Sequence, residues 1–163
     1  MEQEINNIIL EFKKFNPRVL SMGESILDNR VEEFEKKANL ILPVDYKYFI
    51  KQINGLSLLG NEILGIGNKQ GDLIETYYWE HNEVKYPIFS NLIPFSPDGG
   101  GNFYCFDTSK YVMGICPIVF WVSNYIYTNE DQPEIVNESF IEFLKEVFID
   151  WVLESFDYDG ESK

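Results

Sequence analysis

Residues 41–57 read ILPVDYKYFIKQINGLS. Pro43 suits the first turn of a helix, Asp45 complements the positive end of its dipole, and Tyr46, Phe49, Ile50 and Ile53 recur at three- and four-residue steps along one face. Asn54-Gly55 then stops the helix, with Gly55 expected in the left-handed conformation that a carboxyl-terminal cap needs. Beyond this stop the hydrophobic period changes, so the stretch marks a boundary between a helical part and a β-rich part.

Upstream, Ile5, Ile8, Ile9, Phe12 and Phe15 lie on one stripe of a first helix that ends before Asn16-Pro17. RVEEFEKKANL gives a second helix over residues 28–39, apolar through Val31, Phe34 and Ala38 and charged elsewhere through Glu32, Glu33, Glu35, Lys36 and Lys37. Downstream, over 58–128, the runs NEILGIG, DLIETYYW, NLIPFS, NFYCFD and PIVFWV are short, β-branched or aromatic, and separated by glycine, proline, asparagine and aspartate. They read as an antiparallel sheet region, with no helix of crossover length expected between them. YVMGICPIVFWVSNYIYT reads either as two strands broken at Gly114 or Pro117 or as one bent strand and its neighbour.

NESFIEFLKEVFIDWVLESF closes the fold as a long helix, with Ser139 and Glu142 spaced as a capping box and Phe140, Leu144, Val147, Phe148, Trp151 and Val152 available to pack. The expected organisation is one α+β domain over 1–156, followed by a frayed acidic tail over 157–163.

PFSPDGGGNFYCFD, residues 94–107, poses the choice between a phosphate loop and a chain turn. A phosphate loop needs a helix after the glycines so that free N–H groups meet the anion, together with a lysine and a serine or threonine. Here a strand-like run follows Gly99, Gly100 and Gly101, and Asp98 would repel an anion. The stretch reads as a hairpin in which at least one glycine has positive φ and Tyr104, Cys105 and Phe106 alternate across the sheet.

The chain has 163 residues and a formal charge of −14, from 27 acidic against 13 basic side chains. That balance disfavours direct nucleic-acid or anionic-membrane binding and favours a basic partner. The acidic start MEQEINNIILEFKKF is unlike a signal peptide, and no run reaches the length of a membrane span, so a cytoplasmic protein is expected. Cys105 and Cys116 are the two cysteines, both in apolar runs, and are expected as reduced core thiols.

Catalytic chemistry has few groups to draw on. His81 is the one histidine and sits in the charged stretch YYWEHNEVKYP with no serine or cysteine nearby, so a surface-loop residue is expected. No metal or cofactor site is expected: DYDGES and NEDQPE match only fragments of a calcium loop, and zinc lacks ligands. The pairs Glu32 with Glu33 and Asp157 with Asp159 read as solvated faces rather than a hydrolytic dyad.

A surface remains. DLIETYYWEHNEVKYP sets Tyr77, Tyr78 and Trp79 among Asp72, Glu75, Glu80 and Glu83, and NYIYTNEDQPE sets Tyr125 and Tyr127 beside Glu130, Asp131 and Glu134. Rings supply desolvated anchors and carboxylates steer a cationic partner, so the candidate partner-binding set is Asp72, Glu75, Tyr77, Tyr78, Trp79, Glu80, Glu83, Asp98, Glu130 and Asp131. Alternate rings of a strand would point inward, leaving a mixed patch.

Two segments carry a family resemblance. The helix start LP-x-DY-x-x-F with its Asn54-Gly55 stop, and the turn and strand PF-x-x-D-GGG-N-x-Y-C-x-D, together resemble the SUKH superfamily of Smi/Knr-type proteins over residues 31–148. That family includes bacterial immunity proteins and fungal cell-wall regulators. The resemblance implies an α+β fold with a twisted antiparallel sheet packed by helices, and a non-enzymatic role. For the bacterial type, favoured by single-domain length, it implies binding and neutralising a cognate toxin, often a nuclease, for which a basic domain would suit the acidic charge. It marks Pro43, Asp45, Tyr46, Asn54, Gly55, Gly99, Gly100, Gly101 and Asp107 as fold positions first. The rival reading is a small-ligand or peptide-binding regulatory module with an aromatic-lined concavity; a carboxylate hydrolase is the third. No motif encodes the oligomeric state.

Overall fold

The computed structural model describes residues 1–67, 71–128 and 130–163. α1 (Glu2–Phe12) buries Ile5, Ile8, Ile9 and Phe12 along the expected stripe, and Phe15 is seated in the core before the chain turns at Asn16. α2 (Asp28–Ala38) buries Val31 and Phe34 and stops at Asn39, whose φ of 51° supplies a left-handed cap. Pro43 occupies the capping position immediately before α3 (Val44–Gln52).

Asp45 does more than complement a dipole. Its buried carboxylate accepts from the Tyr46 N–H at 2.9 Å and from the Phe140 N–H at 3.2 Å, so one side chain ties the amino termini of two helices far apart in sequence. Burial pushes its pKa up, and the backbone N–H groups of Tyr46 and Phe140 pull against that rise.

Gly55 has a φ of 94°, as the stop after α3 requires. The Asn54 side chain donates to the Ile66 carbonyl at 2.9 Å and accepts from its N–H at 2.7 Å, copying a strand's pairing with a side-chain amide. A Cβ on Gly65 would lie 2.5 Å from the Asn54 carbonyl oxygen, and one on Gly23 would lie 2.1 Å away. Only glycine lets the backbone pass at these two positions.

β1 (Leu20–Met22), β2 (Leu56–Leu58) and β3 (Asn61–Ile63) form one antiparallel sheet in that order. β4 (Leu92–Pro97), β5 (Phe103–Asp107), β6 (Ile118–Trp121) and β7 (Glu134–Asn137) form a second, also antiparallel and in chain order. The Leu64 N–H donates to Phe95 O at 2.8 Å and the Ser96 hydroxyl to Glu62 O, stitching the β3 end to β4. The fold is α+β, as expected.

The hairpin between β4 and β5 forms as read, with φ of 77° at Gly99 and 95° at Gly101. Asp98 folds the turn: its carboxylate accepts from the Gly100 N–H at 2.7 Å, the Asn102 N–H at 2.9 Å and the Asn102 side chain at 2.7 Å. Asp107, at the end of β5, caps the next turn by accepting from the Ser109 N–H at 3.1 Å and from the Asn91 side chain at 2.7 Å.

Several expectations are corrected. DLIETYYW is not a strand but the body of α4 (Leu73–Asn82), so a helix does separate two of the β runs. Asp72 starts it by accepting from the Ile74 N–H at 2.8 Å, and Leu73, Tyr77 and Glu80 share its inner face. This cap and tertiary burial override the β propensity of Ile74, Tyr77, Tyr78 and Trp79. His81 accordingly lies in the last turn of a helix rather than in a loop, its Nδ1 donating to Tyr77 O at 2.7 Å.

The residues after 156 do not fray. Tyr158 packs edge-on to Phe15 with ring centroids 4.9 Å apart and donates to the Glu11 carboxylate, while the Asn16 N–H donates to Tyr158 O at 2.7 Å. Finally, the closing helix is not uniform: α5 (Phe140–Lys145) widens through a π-helical turn (Glu146–Asp150) into α6 (Trp151–Ser155). Ser139 caps α5 by accepting from the Glu142 N–H at 3.2 Å.

Two apolar clusters sit on opposite faces of the second sheet. Tyr104 and Phe106 face the main one, where Phe95 stacks on Phe106 at 4.0 Å and meets Phe143 edge-on at 5.1 Å. Phe103 and Cys105 face the smaller one, with Ile88, Leu92, Val119 and Trp121. Both cysteines are buried and free.

Candidate functional site

The helical geometry of α4 re-sorts the predicted surface. Consecutive residues point about 100° apart on a helix, so three adjacent rings cannot share a face. Tyr77 turns inward and meets Phe34 edge-on at 5.7 Å. Tyr78 lies half-buried under the Lys37 ammonium, 5.5 Å from its ring centre. Trp79 faces outward, 59% exposed. Glu75 and Glu83 are exposed one turn to either side of it, giving a stripe Glu75–Trp79–Glu83 at four-residue steps.

The other acidic residues of this segment are engaged or buried. Asp72 is the cap of α4 and also accepts from the Gly67 N–H at 3.2 Å. Glu80 is buried, and burial pushes its carboxyl pKa up. Burial and then the Glu80 charge hold the Cys105 thiol well above its ordinary value, and the N–H of Ile88, a member of the smaller cluster, donates to Glu80 O at 3.0 Å.

The second predicted segment reaches the same cluster. Tyr127 stacks on Trp121 at 4.5 Å, and Phe89, which follows α4, meets both rings at 5.9 and 5.1 Å. Tyr127 is therefore structural. Tyr125 is exposed and donates a short bond to the Asp131 carboxylate, while Glu130 is exposed. Asn129, the first residue of NEDQPE, lies outside the described residues. In DYDGES, Asp157 accepts from the Asp159 N–H at 2.9 Å and the Glu161 N–H at 3.0 Å, so its carboxylate closes a turn.

Asp98, the remaining member of the predicted set, has its carboxylate committed to the hairpin. Desolvation pushes its pKa up, but the Asn102 side chain and the Asn102 and Gly100 N–H groups together hold it below the ordinary value. It stays ionised at the rim of a groove that sequence reasoning missed.

That groove runs between the hairpin, β7 and the π-helical turn. It comprises a depression of about 210 Å³ beside Asp98, Tyr104, Phe148 and Trp151, and a second of about 410 Å³ bounded by Tyr104, Phe120, Glu134, Val136, Glu146 and Trp151. Tyr104 and Phe120 are cross-strand neighbours with ring centroids 5.0 Å apart. Burial, then the charges of Asp98 and Glu146, raise the Tyr104 pKa. Among the residues lining the two depressions, Asp98, Glu134 and Glu146 are acidic and none is lysine or arginine.

Trp151 reaches the groove because of the π-helical turn. A period of 3.6 puts it on the buried stripe with Phe140, Leu144 and Phe148. In the wider turn residues four apart stack, so Phe148 and Val152 are buried and Trp151 is 48% exposed. The expectation that Trp151 packs in the core is thereby corrected.

Among the described residues, no three His, Cys, Asp or Glu side chains are grouped to hold a metal ion, and no helix is long and apolar enough to cross a membrane.

The family model for SMI1-KNR4 cell-wall proteins, SUKH_6, matches residues 28–144. The chain belongs to the SUKH superfamily. The match begins at α2 and ends inside α5, spanning both resemblance motifs. No curated protein matches in sequence. Eighteen chains of solved structures match. One is a protein from Pseudomonas syringae pv. tomato, at 17% identity and a TM-score of 0.59, over 87% of this chain and 96% of that one. The likeness is one of fold.

Proposed function

We propose that this SUKH protein is an immunity protein that binds a cognate toxin domain and neutralises it by covering its working surface. The observation that carries the reading is Trp79, held 59% exposed on α4 between Glu75 and Glu83. A large ring kept in water supplies a desolvation anchor, and flanking carboxylates steer a cationic surface toward it. Family membership and the formal charge of −14 support a basic partner, for which a nuclease domain is the fitting class.

The test is co-expression with basic toxin domains encoded beside this gene, scored by growth protection and by a purified complex. Protection and a complex that forms faster at low salt are expected. The Glu75→Lys, Glu83→Lys double variant should slow association severalfold without a change in thermal midpoint. Absence of both complex and protection across that panel would end the proposal.

A further inference from the structure

We propose that the free edge of β7, with the groove beneath it, takes an extended lysine- or arginine-bearing segment of a protein partner as an added strand. The proposal rests on the partner being a protein, but it concerns a surface distinct from the α4 stripe.

Three observations converge. First, β7 is the terminal strand of its sheet, so one row of its backbone N–H and C=O groups faces outward, ready to pair with another chain. Ile135 and Val136 are 38% and 39% exposed there, apolar side chains on a strand that itself contains no lysine or proline, with Pro133 just before it and the acidic Glu134 at its start.

Second, the groove flanking that edge is aromatic and acidic at once. Tyr104, Phe120 and Trp151 present ring surface while Glu134, Glu146 and Asp98 stand around them. Asn137 donates to Glu146 and fixes that carboxylate, and the hairpin fixes that of Asp98. Glu134 is exposed on the edge strand itself. A cationic side chain gains both from the carboxylates and from ring faces, whereas an anionic one meets only repulsion.

Third, the fold departs from regular helix to build the groove. The π-helical turn Glu146–Asp150 turns Trp151 out of the core toward β7, and such turns are frequent at functional sites. A residue of an added strand whose side chain points to this face would lie over the rings, and the next residue would point away. The expected ligand therefore alternates, with a basic residue at one position in two.

The three tryptophans make the test direct, since Trp79 marks the α4 stripe, Trp121 is buried and Trp151 marks the groove. The full chain, labelled with nitrogen-15, is titrated with an end-blocked peptide of about eight residues alternating lysine and valine, and with its glutamate-for-lysine counterpart. The expected result is movement of the Trp151 indole N–H and of the Glu134, Ile135 and Val136 amides by the lysine peptide alone. Trp151→Ala and Glu134→Lys should each weaken that binding about tenfold, with Glu32→Lys on α2 as a neutral control. No movement of Trp151, movement of Trp79 alone, or equal movement by the glutamate peptide would each overturn the proposal. Loss of toxin protection with the Trp151 response intact would instead sink the toxin reading and leave the groove standing.

Discussion

Replacing Asp45 with alanine should cost more than any surface substitution, because one carboxylate serves two helix starts. Its oxygens receive the Tyr46 N–H at 2.9 Å and the Phe140 N–H at 3.2 Å in the buried core. Each buried donor left without an acceptor costs about 1–3 kcal/mol, so the two together cost roughly 2–6 kcal/mol. Removing the carboxylate also removes the cost of holding a charge away from water, which brings the expected net loss to about 3 kcal/mol. For a chain of this length that corresponds to a fall in Tm of about 6–12 °C. Asp45→Asn keeps one acceptor and should lose about half as much. The pH dependence has a definite sign. Burial raises the folded pKa above the unfolded value, so the native state binds the proton more tightly, and this group's stabilisation declines as pH rises through the folded pKa. The gap between wild type and Asp45→Ala should therefore widen as pH is lowered from neutral toward the ordinary aspartate range. Equilibrium urea unfolding at several pH values measures both quantities. A neutral-pH loss below about 0.5 kcal/mol, or a gap that narrows in acid, would refute the two-helix role.

Gly65→Ala should destabilise by about 3 kcal/mol, since its Cβ would meet the Asn54 carbonyl at 2.5 Å. Gly60→Ala, with φ of 89° but nothing within 4 Å, should cost only the backbone strain of about 1–2 kcal/mol, and paired urea titrations compare the two. Glu80→Gln should raise the urea midpoint above pH 7, because it relieves a buried carboxylate whose folded pKa is raised; the advantage should fade as pH drops through that pKa. Deleting the exposed Asp150 should convert the π-helical turn to regular helix with Phe148 and Val152 three apart and still inward. Circular dichroism should then show intact helix, and emission dominated by exposed Trp79 and Trp151 should stay unshifted, whereas a blue shift would mean that Trp151 had been buried.

The elements that the sequence made legible are those in which one local signal governs. α1, α2 and α3 show 3.6-residue stripes, and the hairpin at Asp98 needs positive φ that only its glycines take without strain. α4 was misread because Ile74, Tyr77, Tyr78 and Trp79 carry β propensity, and the decisive signals were a single cap at Asp72 and the burial of Leu73 and Glu80. An acid at position 80 is the residue least expected on a buried face. Fraying after residue 156 was a reasonable expectation for an acidic end, but Tyr158 found Phe15 and Glu11 from the far end of the chain. Such a long-range contact has no local trace.

The candidate surfaces were half legible for the same reason. Composition located the acidic and aromatic segments, yet the secondary structure decided which residues reach water, and two departures from simple periodicity decided the outcome. On a strand, Tyr77 and Trp79 would have shared a face; on α4 they oppose, so one ring is anchored in the core and the other is offered to solvent. In the closing helix a uniform period would have buried Trp151; the wider turn stacks Phe148 on Val152 and releases the indole toward β7. Both exposed tryptophans thus stand where the chain deviates from the pattern that its own residues suggest. A packed core fixes neither of them, so both surfaces can change to suit a partner while the Asp45 tie and the Asn54 crossing hold the fold.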